Sequence, residues 1–247
     1  MSQDAARDRN REAWNAGRYE AWVEAIGTPQ QEAAAIAADP AFKLRRLLPH
    51  MGDVAGARVC NVQGSHGRIA VALALLGADV TVLDFAEENR RYALELAAAA
   101  GAAIDYRLGD VIEAGGLGLA PFDWVVMELG IFHYHQDLGR FFAVMAALTR
   151  PGGRLLVNEF HPVQRKLFSR DGGAPDYFET ALAEAAVPDP TGQGRDLGTC
   201  VLRRWTLAEI VNAAIGAGFV LERLEEHPDW TDPTIPGTFT LLAARPA

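Results

Sequence analysis

Residues 59–84 read VCNVQGSHGRIAVALALLGADVTVLD. An apolar run of strand length enters a turn that carries Gly64 and Gly67. An alanine- and leucine-rich run of helical length follows, and a second apolar run closes on Asp84. Strand, turn, helix and strand in so short a span make a βαβ unit, whose strands lie parallel because the helix carries the chain back. The question is what the turn holds.

The alternation continues outward. AEENRRYALELAAAAG (86–101) reads as a helix, with acids in its first turn and glycine after its last. AAIDYRLGD (102–110) and FDWVVMELG (122–130) read as strands, DLGRFFAVMAALTR (137–150) as a helix, and PGGRLLVNEF (151–160) as a turn and fifth strand. This predicts an α/β fold, a doubly wound Rossmann-like parallel sheet with right-handed crossovers and helices on both faces. At the end, WTLAEIVNAAIGAG (205–218) is a helix with Thr206 placed to cap against Glu209. FVLERLEE (219–226) and GTFTLLAAR (237–245) have no helix between them, so they pair antiparallel. Residues 1–50 form a helical preface to a core at 51–247. Residues 160–204 form a long Gly/Pro-interrupted insert, a length that is more often functional than accidental.

Ligands of parallel sheets bind beyond the carboxyl ends of the strands, where strand order reverses. The first turn presents unpaired N–H groups and a helix N-terminus. An acid closing the second strand, Asp84, can accept from both hydroxyls of a ribose, so the unit fits an adenosine-containing ligand; the alternative for Asp84 is a helix cap for AEEN. The dinucleotide pattern G-x-G-x-x-G, aligned to end at Gly67, lacks its first glycine, because that place is Val62.

On NVQGSHGR, VTVLD, LGD, FDWVVMELGIFHY, LTRPGGRLLVNEF and the closing strand pair, the chain resembles the class I S-adenosylmethionine-dependent methyltransferases of the small-molecule type, over about 55–160 and 205–247. The resemblance implies seven strands in the order 3-2-1-4-5-7-6 with strand seven antiparallel, and S-adenosylmethionine as cofactor. That family's first motif is an acid followed by G-x-G-x-G. Here Asn61 stands for the acid, and Gln63, Ser65 and Gly67 for the glycines, with Gly64 out of step; a shifted turn around Gly64 is expected to restore room. By the resemblance, Asp84 holds the ribose with Phe85 beside the adenine. Asp110 accepts from the adenine amino group with Val111 against the ring. Glu128 and Leu129 border the methionine moiety and the methyl. The preface would act as a lid.

Methyl transfer needs an aligned nucleophile and excluded water, and a base only if the nucleophile arrives protonated. The carboxyl ends of strands four and five supply His133, Tyr134 and His135, then Glu159 and His161. Histidine titrates near neutral pH, so His133 and His161 lead as bases, with Glu159 beside them; packing or capping is the alternative for each. The imidazoles and carboxylate would suit a metal, but no H-E-x-x-H or C-x-x-C supports one, and no metal site is expected. The insert begins over the same face, and EHPDWTDPTIPG (226–237) joins the last strands there. Asp176, Tyr177, Phe178 and Trp230, with Tyr134, are therefore candidates to line an acceptor pocket. The preface also carries Trp14, Tyr19 and Trp22; Tyr19 and Trp22 lie three apart and Trp22 and Ile26 four apart, a helical spacing that fits core packing or a lid over cofactor and substrate.

Composition bounds the rest. The chain has 247 residues, 49% hydrophobic and 22% charged, with a net charge of −9. Such a domain needs no disulfide staple, and its charge argues against a nucleic-acid partner. Cys60 and Cys200 have no spacing logic and fit a reducing, cytoplasmic compartment. The polar N-terminus is no signal peptide, and no apolar run reaches membrane-spanning length. The partner expected is a small-molecule methyl acceptor offering O, N or C, with monomer and homodimer both open. Two alternatives stand beside this reading: an S-adenosylmethionine-binding regulator that has lost catalysis, and an NAD(P)-dependent oxidoreductase.

Overall fold

The computed structural model describes residues 3–168 and 175–247; residues 169–174 of the expected insert lie outside the described residues. Nine helices of the described chain are α1 (Gln3–Trp14), α2 (Arg18–Ile26), α3 (Pro29–Ala38), α4 (Pro40–Lys43), α5 (Leu48–Met51), α6 (Arg68–Leu75), α7 (Glu87–Ala100), α8 (Leu138–Leu148) and α9 (Leu207–Gly216). The strands are β1 (Arg58–Val62), β2 (Asp79–Asp84), β3 (Ile104–Leu108), β4 (Phe122–Glu128), β5 (Thr149–Phe160), β6 (Leu182–Ala186), β7 (Thr199–Arg203), β8 (Val220–Pro228) and β9 (Pro236–Ala244).

Seven strands form one sheet in the order β3-β2-β1-β4-β5-β9-β8. The first five are parallel, and β9 runs antiparallel to both β5 and β8. This is the expected doubly wound order, with the last two strands renumbered by a hairpin inside the insert. That hairpin, β6 with β7, makes a separate antiparallel sheet. Its first strand, LEU-ALA-GLU-ALA-ALA in sequence, has no β-branched or aromatic residue, so propensity gave no strand signal there.

Helix ends follow local chemistry. Thr206 and Glu209 form the expected capping box on α9. The start of α7 is capped from a distance: Asn15 Oδ1 accepts from the amides of Glu87 and Glu88. In return the Glu88 carboxylate accepts from the amides of Gly17, Arg18 and Tyr19 at the start of α2. Two helix N-termini thus satisfy each other's orphan donors, and the acid also suits the positive end of the helix dipole.

The preface is packed into the body of the molecule. Ala33, Ile36, Leu44, Leu47 and Met51 share one buried cluster with Val59 of β1, Val71 of α6 and Leu96 of α7. A second cluster on the opposite face joins Phe122, Phe141, Phe142 and Phe239. Cys60 and Cys200 are buried, and burial pushes both thiols up to about 12, so they are inert core groups. Among the described residues, no helix is long and apolar enough to cross a membrane.

Candidate functional site

Parallel register aligns the carboxyl ends of the strands. Val62 pairs with Leu83, Asp84 with Leu108, and Glu128 with Asn158. Beyond these ends lie two cavities. The first, of about 550 Å³, lies over β1, β2 and β4 and is lined by Asn61, Gln63, Gly64, Ser65, Asp84, Phe85, Glu128 and Leu129. The second, of about 510 Å³, lies toward β5 and the insert and is lined by Phe132, His133, Glu159, Phe160, Leu202 and Trp205 among others. Tyr134 lines both.

The first turn is built as a glycine motif without all its glycines. Gln63, Ser65 and Gly67 have φ of 49°, 48° and 80°. These are the three places where the resemblance puts glycine, and all three take the left-handed conformation that glycine adopts freely. No shifted turn occurs at Gly64. Its lack of a side chain serves close approach instead, since a Cβ there would lie 2.5 Å from Asn61 Oδ1 and 2.8 Å from Val82 Cγ1. The strain at Gln63 is held by His135, whose Nε2 lies 2.9 Å from Gln63 Oε1. Ser65 is held by Asp84, whose Oδ2 accepts from its amide at 3.0 Å. Replacing Ser65 with glycine relieves a left-handed side chain and is expected to raise stability by about 0.5–1 kcal/mol. Thermal unfolding checks this, and an unchanged or lower midpoint contradicts it.

Asp84 is not the cap of α7, a place Asn15 takes. Its other oxygen accepts from the amide of Ala86 at 2.9 Å. Burial pushes its carboxyl up, while N–H donors from Ala86, Ser65 and Asn89 pull it back. Asn61 donates to the Val126 carbonyl, and its Oδ1 is buried with no hydrogen-bond partner. The carboxyl of Glu128, at the end of β4, makes no hydrogen bond among the described residues, and burial, opposed by Arg45, Arg68 and Arg46, pushes it up to about 7. A buried acceptor and a carboxyl costly to ionise, side by side in a cavity, are completed by a cationic, hydrogen-bond-donating ligand.

Several expected site residues lie elsewhere. Asp110 caps the 3₁₀ turn at Val111–Leu117 by accepting from Ile112, and it lies 3.6 Å from Arg7 Nη1. With Val111 it borders a space of about 20 Å³, closed by Gln3, Arg7 and Asn10 of α1, which shares Gln63, Phe85 and Tyr134 with the first cavity. Helix α1 crosses that end of the sheet because Asn10 exchanges two hydrogen bonds with the backbone of Val201 in β7. His161 lines neither cavity. It is buried, lies 2.8 Å from Glu226 and accepts through Nδ1 from the amide of Val163. Glu159 borders the second cavity, but its carboxylate accepts from the amides of Gly130, Ile131 and Phe160. It fastens the turn after β4, where Leu129 holds a strained φ of 51°. His133 does line the second cavity, its ring 4.2 Å from that of Tyr134.

The aromatic candidates also divide. Trp14, Trp22 and Trp230 border the first cavity and not the acceptor side. Trp14 meets Tyr134 edge-on at 6.0 Å, and Arg18 sits over both Trp14 and Trp22, donating to the Pro188 carbonyl. Trp230 is exposed, edge-on to Phe160. Tyr19 packs on Tyr92 and donates to Glu95, away from either cavity. Tyr177 accepts from the amide of Leu207 and so anchors α9, while Phe178 is exposed and Asp176 closes its own turn. These loop residues were placed by chain order alone, which does not fix where a side chain points. Among the described residues no cluster of His, Cys, Asp and Glu could hold a metal.

Sequence reasoning missed His66, Lys43, Arg45, Arg68 and Asn89 in the first cavity. His66 is inside the opening stretch. It stacks on Trp22 at 4.2 Å, and burial lowers its pKa to about 3, so it stays neutral. Lys43 and Arg68 both donate to buried Glu32, an arrangement with no local sequence signal.

A protein-family profile described as methyltransferase domain matches residues 61–157, the span from the first turn to the fifth strand. Over this span the chain is similar to class I S-adenosylmethionine-dependent methyltransferases, and it shares their fold. The chain is 32% identical over 102 residues to a ubiquinone biosynthesis O-methyltransferase from a Caulobacter species, covering 41% of this chain and 40% of that one. The match thus spans about two fifths of that relative's length. Among solved structures, an S-adenosylmethionine-dependent methyltransferase from Mesorhizobium loti superposes with a TM-score of 0.61 at 24% identity, covering 86% of this chain and 100% of that one. A 1,6-didemethyltoxoflavin-N1-methyltransferase from Burkholderia thailandensis, seen with that compound and S-adenosylhomocysteine, superposes at 0.63 with 19% identity over 100% of this chain and 92% of its own.

Proposed function

We propose that this chain moves a methyl group from S-adenosylmethionine to an O, N or C nucleophile of a small molecule. The observation that carries the reading is the pair of cavities meeting at Tyr134, one bordered by Asn61, Asp84 and Glu128 and the other by His133. The residues of the first fit the cofactor in charge and donor set. Asp84 keeps a lone pair on each oxygen for ribose hydroxyls. Asn61 Oδ1 and Glu128 suit an ammonium and a sulfonium, and Lys43, Arg45 and Arg68 stand near for a carboxylate. When bound, the cofactor supplies an activated methyl carbon.

The chain's own residues do the rest. Phe132, Tyr134, Phe160 and Trp205 exclude water from the acceptor side and orient a flat acceptor against the shared wall. His133 takes the acceptor's proton where the acceptor arrives protonated. O and N acceptors alike stay open, since an O-methyltransferase is similar to this chain in sequence and an N-methyltransferase in fold. Nothing in the site favours a nicotinamide enzyme, because the place of its first glycine is the fully buried Val62 of β1. A second reading, a cofactor-binding protein without turnover, draws on one observation: Gln63 and Ser65 hold side chains where glycine is the relaxed choice.

Titration calorimetry with S-adenosylhomocysteine, followed by labelled-methyl transfer to a panel of phenols, amines and carbon acids, tests both readings. Binding with transfer supports the enzyme; binding with no transfer across the panel supports the second reading. With an acceptor in hand, His133→Ala is expected to lower turnover by about 10²-fold while cofactor affinity changes less than about threefold. Equal losses in both would remove His133 as base.

A further inference from the structure

We propose that a cationic recess between the helical preface and the sheet edge binds a multiply charged phosphate-class anion; it shares only Arg45 with the first cavity and does not depend on the methyl-transfer reading. The recess is about 350 Å³ and is lined by Arg45, Arg46, Pro49, His50, Arg223, Glu225, His227 and Leu242. Three guanidinium groups and two imidazoles face one carboxylate in a chain whose net charge is −9. Charges of one sign held together repel, and although Arg45 and Arg46 also act on the Glu128 carboxyl, Glu225 is the one carboxylate lining the recess, so an anion there would relieve the repulsion.

The placement follows from the elements. Arg223, Glu225 and His227 alternate along β8, so they share one face of this edge strand. Arg45, Arg46 and His50 come from the turn and helix around α5. The wall is organised before any ligand arrives. Glu225 accepts from Arg223 at 3.0 Å and lies 3.4 Å from His50 Nε2, which ties the preface to β8. His227 Nε2 lies 2.9 Å from Thr240 Oγ1 on the neighbouring strand, and Leu242 closes the floor. Arg46 makes no hydrogen bond or ion pair among the described residues. Glu225 is thus spent on holding two cations in place, while Arg46 and the outer face of Arg223 remain to grip oxygens. Guanidinium groups suit phosphate because their planar N–H pairs match two oxygens at once. The recess has room for a di- or triphosphate end. It is concave, which suits a soluble phosphate ester better than a headgroup in a flat membrane surface.

Inorganic pyrophosphate is the probe, titrated into the full chain by calorimetry at 0.15 M salt. Expected is one saturable site, weakened more than tenfold in the double variant Arg46→Ala with Arg223→Ala. Both residues lie off the core, and thermal unfolding would show each variant folded. A charge-matched control, Arg107→Ala with Arg140→Ala, should bind as the wild type does. No saturable binding, equal weakening in the control, or full binding in the double variant would each overturn the site. So would sedimentation with phosphatidylglycerol vesicles in the absence of pyrophosphate binding.

Discussion

Replacing Glu128 with glutamine is expected to stabilise the fold above pH 7 and, at the same pH, to weaken binding of S-adenosylhomocysteine at least tenfold. Burial moves the folded-state carboxyl from 4.5 to about 7. The unfolded chain gives up this proton near pH 4.5, the folded chain only near 7. Stability therefore falls as pH rises through that window, and the whole loss is present above it. For a partly buried group the loss is on the order of 2 kcal/mol after allowance for solvent. Glutamine has the same shape and no charge, so its unfolding midpoint at pH 8 should lie about 4–8 °C above the wild type, with the two curves meeting near pH 4.5. Binding runs the other way. A ligand carrying an ammonium prefers the ionised carboxyl, so wild-type affinity should climb about tenfold between pH 6 and pH 8. In the variant that climb should vanish. A site that sacrifices stability to keep a charge ready is expected where function needs it. Flat wild-type binding, or an unaffected variant, would remove Glu128 from the cofactor side.

What the sequence made legible were the features with local signatures. The βαβ alternation, the capping box at Thr206 and the antiparallel final pair follow from periodicity and turn chemistry within short windows. The resemblance marked 63, 65 and 67 as glycine positions, but the expected shift of the turn around Gly64 does not occur: all three keep the left-handed conformation although two lack glycine. What was not legible depends on distant partners. His161 and Glu159 leave the same strand end two residues apart, yet one pairs with Glu226 and the other is consumed by three amides. No periodicity encodes that. Asp110 sits where an adenine-contacting acid belongs, but Arg7, over a hundred residues earlier, reaches it first. The alanine-rich β6 became a strand only because β7 was there to pair with it.

Asp84→Ala is expected to weaken S-adenosylhomocysteine binding more than tenfold and to cost stability as well, and the two losses can be separated. The carboxylate does structural work: one oxygen holds the amide of strained Ser65 and the other that of Ala86. Alanine leaves both donors without an acceptor in a place that is 7% exposed, which costs on the order of 2 kcal/mol. Part of the affinity loss would then come only from a loosened turn. Asp84→Asn divides the roles. Its amide oxygen can still accept from one of the two backbone donors, so much of the turn survives, but it offers fewer lone pairs and no charge to ribose hydroxyls. If the ribose role is real, the asparagine variant should unfold within a few degrees of the wild type and still bind at least tenfold more weakly. An analogue lacking the 2′-hydroxyl should show a smaller difference between the two proteins, because the contact that the substitution removes is already missing. Equal affinity of wild type and asparagine variant for the intact ligand would leave Asp84 as a turn-holding residue alone. The cavity over β1 and β2 would then lose the contact that orients a nucleoside in it.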